Sequence, residues 1–190
     1  MWKAIFTRIT VIVCSIIVAG CSSHYLIYSD NMFAGKERFR HKEYEKAGTH
    51  FLIAWQQYKN VESLAYLVSA MYRTGDLDRA EALIENAQHI TQDYAYSLRI
   101  VAHDALIKLK RDPANGCKAL MGYVAFYRHH YPLMTINDVA AACTQGVLTM
   151  DMEQLESLIE NQLQWHEQEV EQYLTTGTGF YDSLYGSERD

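Results

Sequence analysis

The sequence predicts an all-α protein, a short solenoid of about eight helices arranged in antiparallel pairs. Three observations predict it. After the first 30 residues there are no alternating Val/Ile/Thr runs of strand type, and Ala, Leu, Glu, Gln and Met dominate, which favours helix. Only two prolines, Pro113 and Pro132, interrupt the chain. Two segments align at a period of 33 residues: His41–Ala47, continuing to Phe51 and Ala54, and Thr74–Ala80, continuing to Ile84 and Ala87. Self-similarity at such a period marks stacked helical units, each burying its apolar face against the next. A chain of 190 residues, 49% of them hydrophobic, can bury one core without help from metals.

The N-terminus reads as an address. Met1–Arg8 carries Lys3, Arg8 and no acid, and Ile9–Ala19 is mostly apolar. That apolar stretch falls short of the roughly 20 residues that span a bilayer, so it reads as a secretory signal. Val18-Ala19-Gly20-Cys21 resembles the lipobox of bacterial lipoproteins: an aliphatic residue, two small ones, then the acylated Cys. The resemblance covers about 21 residues. It implies a diacylglycerol thioether on Cys21, cleavage before it, and a further acyl chain such as palmitate on the new amine. Several acyl chains give lasting attachment. Ser22 in the second mature position implies, by the same resemblance, export to the outer membrane, facing the periplasm. The alternatives are an uncleaved anchor or an ordinary secretion signal with a chance Cys. The expected organisation is a signal at 1–20, a lipidated linker at 21–27, a helical domain at 28–175 and a flexible tail at 176–190.

Without residues 1–20 the chain keeps 15 basic and 23 acidic residues, a net −8. Such a charge repels phosphate backbones, which argues against nucleic acid. It also gives no electrostatic gain on anionic lipid, so membrane attachment is assigned to the lipid on Cys21.

In the second repeat, Leu64, Leu67, Val68 and Met71 have the spacing of one helical face. The segment Leu64–Ala87, with its Gly75-Asp76 turn, is similar to a tetratricopeptide repeat (TPR). Leu64, Leu67, Met71, Ala80, Ile84 and Ala87 fall on that pattern. Val68 replaces its usual small residue, and Gln92 stands where a closing proline is expected. The preceding unit, Tyr28–Trp55, matches only in its second helix, with Lys42 in place of the turn glycine. A third pair follows: a helix through Leu98, Val101, Ala102, Ala105 and Leu109, then a second through Cys117, Leu120, Tyr123, Val124 and Tyr127. Asp112-Pro113 starts that second helix, Asp as N-cap and Pro in the first turn. A further helix, capped by Thr135 or Asn137, is expected through Val139, Ala142, Cys143 and Val147. Asp151 with Gln154 resembles a capping box and opens a last helix through Leu155, Leu158, Ile159, Leu163, Trp165 and Leu174. Gly177 and Gly179 end it. The tail keeps Phe180, Tyr181 and Tyr185, which either dock on a groove or stay mobile. The alternative architecture is an irregular helical bundle containing one TPR-like hairpin.

Of the four cysteines, Cys14 leaves with the signal and Cys21 takes lipid, so Cys117 and Cys143 remain. An exported pair meets an oxidising compartment, and a Cys117–Cys143 disulfide is expected. The other reading is two separate small core residues. Their spacing suits neither a redox pair nor a zinc ribbon.

Catalytic motifs are missing from the sequence. The eight histidines include no pair at i, i+4, and adjacent His129 and His130 diverge on a helix; all read as surface residues, so no metal is expected. There is no nucleophile elbow and no phosphate-binding loop. Glu153, Glu156, Glu167, Glu169 and Glu171 read as a solvated face, with no sign of an enclosed carboxylate pair. Neither a cofactor nor a small-molecule substrate is expected, and the chain does not read as an enzyme.

The TPR resemblance implies a concave groove lined by the first helix of each pair. It carries Met32, Lys36, Phe39 and Arg40 in the first unit. In the second it carries Glu62, Ala65, Ser69, Tyr72 and Arg73. In the third it carries Tyr96, Arg99 and His103. Aromatic and Arg side chains are hot-spot chemistry and suit a peptide segment with acidic and apolar residues. The expected function is a lipid-anchored adaptor or assembly factor, resembling pilotins and the assembly factors of pilus, secretion or conjugation systems. The alternatives are a permanent structural subunit of an envelope complex, or a scaffold for cell-wall enzymes.

Overall fold

The computed structural model describes residues 24–87, 94–130 and 136–178. The expected signal peptide, Cys21 and the aromatic residues of the expected tail lie outside the described residues. The protein is all-α, with eight helices and one minimal hairpin among the described residues. The chain divides into two compact units, residues 1–74 and 75–190.

The first unit holds α1 (24–40), α2 (Tyr44–Gln57) and α3 (Val61–Thr74). Helix α1 is described from His24, inside the segment expected to be linker. Its imidazole Nδ1 lies 2.7 Å from Gln57 Oε1, which ties the start of α1 to the end of α2. Tyr28, Met32, Gly35 and Phe39 form its buried face, the i, i+4, i+7, i+11 spacing of a helix stripe. Phe39, Phe51 and Tyr66 form an aromatic cluster across the three helices, with ring centroids 5.1–6.3 Å apart. Gly35 lets α1 approach α2: a Cβ there would stand 2.4 Å from the Phe51 ring. Asn60 caps α3, its Oδ1 accepting from the Ser63 amide at 2.9 Å.

The 33-residue period is present in the helices. Helix α2 begins at Tyr44 and α4 at Leu77. Ala47, Phe51 and Ala54 are buried, as are Ala80, Ile84 and Ala87. The residue ending the helix before each is left-handed, Lys42 at φ 60° and Gly75 at φ 81°. Around Lys42 the Glu43 amide donates to Arg38 O at 3.0 Å and the Lys42 amide to Phe39 O at 2.9 Å. This is a Schellman closure with Lys where glycine is favoured. Lys42→Gly is therefore expected to raise stability by about 1 kcal/mol, and Gly75→Ala to lower it by a similar amount, both read from urea unfolding midpoints.

The second unit holds α4 (Leu77–Asn86), α5 (Tyr94–Arg111), α6 (Pro113–His130), α7 (Ile136–Ala141), β1 (Cys143–Thr144), β2 (Val147–Leu148) and α8 (Met152–Thr176). α5 and α6 form its closest helix pair, α8 packs on α5, and α7 packs on α6 and α8. Asp112 caps α6, Oδ1 accepting from the Ala114 amide at 3.1 Å, with Pro113 as first helical residue. Cys117, Leu120, Tyr123, Val124 and Tyr127 are buried. Arg111 ties α4 to α5 through ion pairs with Asp78 and Glu81.

The helix expected to run through Val147 ends at Ala141. Gln145 and Gly146 take positive φ, 53° and 78°. Two such residues make the turn of a two-residue hairpin. Cys143 pairs with Leu148 and Thr144 with Val147, and the Thr149 amide donates to Ala142 O at 2.8 Å. Asn137 lies inside α7 and so is not its cap, and Thr135 is outside the described residues. Cys117 on α6 is bonded to Cys143 on β1, with Cα atoms 5.6 Å apart. Reduction is expected to cost about 3–4 kcal/mol on the chain-entropy account, and an intact mass that gains no two hydrogens on reduction would count against the bond.

Asp151 caps α8, Oδ2 accepting from the Glu153 and Gln154 amides at 2.9 and 3.3 Å. Gly177 ends it at φ 68°, donating to Tyr173 O. Leu155, Ile159, Leu163 and Val170 are buried, whereas Trp165 and Leu174 are 62% and 75% exposed.

Candidate functional site

The side chains expected to line a groove are mostly inside the protein. Met32, Phe39, Ser69, Tyr72, Arg99 and His103 are all buried, between 0% and 8% exposed. This corrects the groove reading, and the reason is physical. On α1, Met32 and Phe39 share the buried stripe with Tyr28 and Gly35. On α3 burial extends nearly all round, from Ser63 to Ala70 and on to Tyr72, so this helix has no free concave side.

The remaining groove residues are engaged in structure. Lys36 Nζ bonds Glu62 Oε1 at 2.6 Å and lies 4.9 Å from the Tyr66 ring centroid. Tyr28 donates to Glu62 Oε2 at 2.7 Å and accepts from Asn60 Nδ2 at 2.9 Å. Burial, with the Glu62 hydrogen bond second, pushes the Tyr28 phenol well above its usual range. Glu62 is thus the polar latch between α1 and α3. Arg40 is exposed and pairs with Glu37 along α1. Arg73 is half-buried and lies 5.9 Å from the Tyr44 and Tyr72 rings, close enough for a cation–π attraction.

In the second unit, α5, α6 and α8 bring together a polar cluster that sequence reasoning missed. Arg99, 1% exposed, sits among the apolar residues of α5. Its Nε and Nη2 donate to the two oxygens of Glu167 at 2.6 and 3.1 Å, and its Nη1 donates to Glu160 Oε1 at 3.1 Å. Such forked, charge-assisted bonds are the strong class. His103, one turn on, has Nδ1 2.8 Å from Arg99 O, so that nitrogen carries the proton. Tyr123 of α6 donates to Gln162 Oε1 of α8 at 3.0 Å. Burial, more than the neighbouring Tyr127, pushes its phenol well above the usual range. His166 of α8 is buried in the same unit.

Three readings change accordingly. His103 and His166 are core residues. Glu167 and Glu160 are clamps for Arg99, and Glu156 pairs with Lys110 at 3.0 Å, so that side of α8 is not simply solvated. One signal was available: Glu160 and Glu167 stand seven residues apart beside the apolar stripe, opposite a lone Arg on an otherwise apolar face. Chemically the arrangement is a buried charge clamp fixing α8 against α5. It is closed to solvent at Arg99.

An open depression of about 520 Å³ is lined by Glu81, Lys108, Arg111, Asp112, Asn115 and Lys118. Its cations are engaged in part, Lys108 with Asp104 at 2.6 Å and Arg111 with Asp78 and Glu81. Among the described residues no group of three His, Cys, Asp or Glu side chains is placed to hold a metal ion. Among the same residues no helix is long and apolar enough to cross a membrane. Compared with protein-family models, curated proteins and solved structures, the chain matches none of them.

Proposed function

We propose that the chain is a bacterial lipoprotein, anchored through Cys21 and facing the periplasm, whose helical part binds and positions another envelope protein. The observation that carries this reading is the register of Val18-Ala19-Gly20-Cys21, followed within three residues by the first helix of an all-α repeat. Helical repeats present large rigid surfaces and act by binding. The outer membrane is the favoured location, on Ser22. Recognition uses outward side chains, since the buried set that includes Tyr72 and Phe39 holds the first unit together. Replacing Tyr72 would report on folding rather than on binding.

The test is made in an intact envelope. The full chain is expressed with photo-crosslinking residues at exposed positions such as Arg40 and Glu85, and crosslinked species are identified by mass spectrometry. The expected result is an N-terminal peptide beginning at acylated Cys21, and one envelope protein captured repeatedly from neighbouring positions. A chain recovered with residues 1–20 attached overturns the anchor. A chain that captures nothing from any exposed position overturns the adaptor.

A further inference from the structure

One end of the first unit carries an unusual set of outward side chains. Tyr25, Leu26 and Ile27, consecutive in α1 just after the first described residue, are 61%, 59% and 42% exposed. Tyr58, just past α2, is 56% exposed. Its ring lies 5.6 Å from that of Tyr28, and the His24–Gln57 contact joins the same two helix ends. Lys59, beside Tyr58, is exposed, with its Nζ 5.9 Å from the Trp55 ring. These residues therefore share one end of the three-helix unit. Three successive apolar residues point around most of the outer side of a helix turn, because neighbours diverge by about 100°.

We infer that this end of the first unit rests on the lipid bilayer, with Tyr25, Leu26, Ile27 and Tyr58 in the headgroup region and Lys59 reaching the phosphates. The inference rests on the reading of Cys21 as the lipidated residue. Only Ser22 and Ser23 separate Cys21 from His24, and three residue steps reach at most about 11 Å. The acyl chains thus hold the start of α1 within the thickness of the interface, whatever the rest of the protein does. The residue types fit that depth. Tyr and Trp concentrate at membrane interfaces, where ring and hydroxyl meet apolar and wet surroundings. Lys keeps its stem in the apolar zone and its charge in water. Tethered this way, the repeat stands off the membrane by a fixed end rather than swinging on a leash.

The cysteine inventory gives a clean test. With Cys14 removed, Cys21 acylated and Cys117 bonded to Cys143, a new cysteine is the sole free thiol. Leu26→Cys, Tyr58→Cys and, toward the other end of α2, Glu45→Cys are made in the full chain. Each is processed in bacteria, spin-labelled, and reconstituted in vesicles of phosphatidylethanolamine and phosphatidylglycerol. Nitroxides at positions 26 and 58 are expected to lose collisions with an aqueous nickel chelate several-fold and to gain collisions with oxygen, while position 45 stays aqueous. Equal access at all three positions, in protein that floats with the vesicles and carries the diacylglycerol mass, overturns the inference and leaves the anchor standing. Spin–spin broadening at position 26 that grows with protein density means a second copy covers this end, and overturns it too. Shielding of positions 26 and 58 in native envelopes but not in vesicles assigns the end to a protein partner, with the same consequence. Absence of the diacylglycerol mass on Cys21 overturns the anchoring reading, and this inference with it.

Discussion

Gly116→Ala is expected to destabilise the second unit by about 3 kcal/mol or more, while Gly122→Ala on the same helix raises stability by about 0.5–1 kcal/mol. The two substitutions add the same methyl to α6, six residues apart. At Gly116 an added Cβ would lie 2.3 Å from Leu109 Cα and 2.4 Å from Leu109 N. Those are backbone atoms of α5, so no rotamer change relieves the clash and the helices must part. Leu109 of α5 and Cys117 and Leu120 of α6 are all buried, and parting the two helices loosens their packing. At Gly122 nothing lies within 4 Å of the added Cβ, leaving only the gain in helix propensity. Urea unfolding of the two variants checks the pair. Equal effects would mean that α5 and α6 do not approach as closely as described.

Arg99→Met is expected to cost about 3–5 kcal/mol, because it strips the guanidinium from two largely buried carboxylates. The Glu160 and Glu167 side chains are only 15% and 12% exposed, so water replaces the guanidinium poorly. Arg99→Lys should recover little of the loss, since an ammonium cannot present two forked donor pairs at once. Adding Glu160→Gln and Glu167→Gln to Arg99→Met should recover much of it, because the trapped charge is then gone. A double-mutant cycle across Arg99 and Glu167, read by denaturant unfolding, gives the coupling directly. Additive losses would show that the clamp contributes nothing beyond side-chain packing.

The repeat was legible because its signal needs only a period. Ala47 and Ala80, Phe51 and Ile84, and Ala54 and Ala87 occupy matching buried sites, and small–large–small spacing on a helix has few other uses. Caps at Asp112 and Asp151 were legible for a local reason: a carboxylate and the next two or three amides settle the matter. The groove was not legible. Whether Phe39 or Tyr72 faces outward depends on what covers α1 and α3, and that is tertiary information. Arg99 misled for a related reason, since a cation on a helix reads as surface until its partners, 61 and 68 residues away, are known. The short α7 was hidden because Gln145 is an uncommon left-handed residue, and Gly146 alone did not announce a turn.

The bond between Cys117 and Cys143 also changes what a protease can accomplish. It closes a ring that contains α7 and most of α6. A cut at any single peptide bond from residue 118 to 142 opens that ring but releases nothing. The two parts remain one covalent molecule, and the piece bearing α8 stays attached to the piece bearing α1. Two cuts inside the ring free only the segment between them, and a cut followed by a reductant is needed to separate the two parts. On a denaturing gel a nicked chain therefore runs as one species without reductant and as two with it. A single nick in this stretch therefore leaves α1 and α8 in the same covalent molecule.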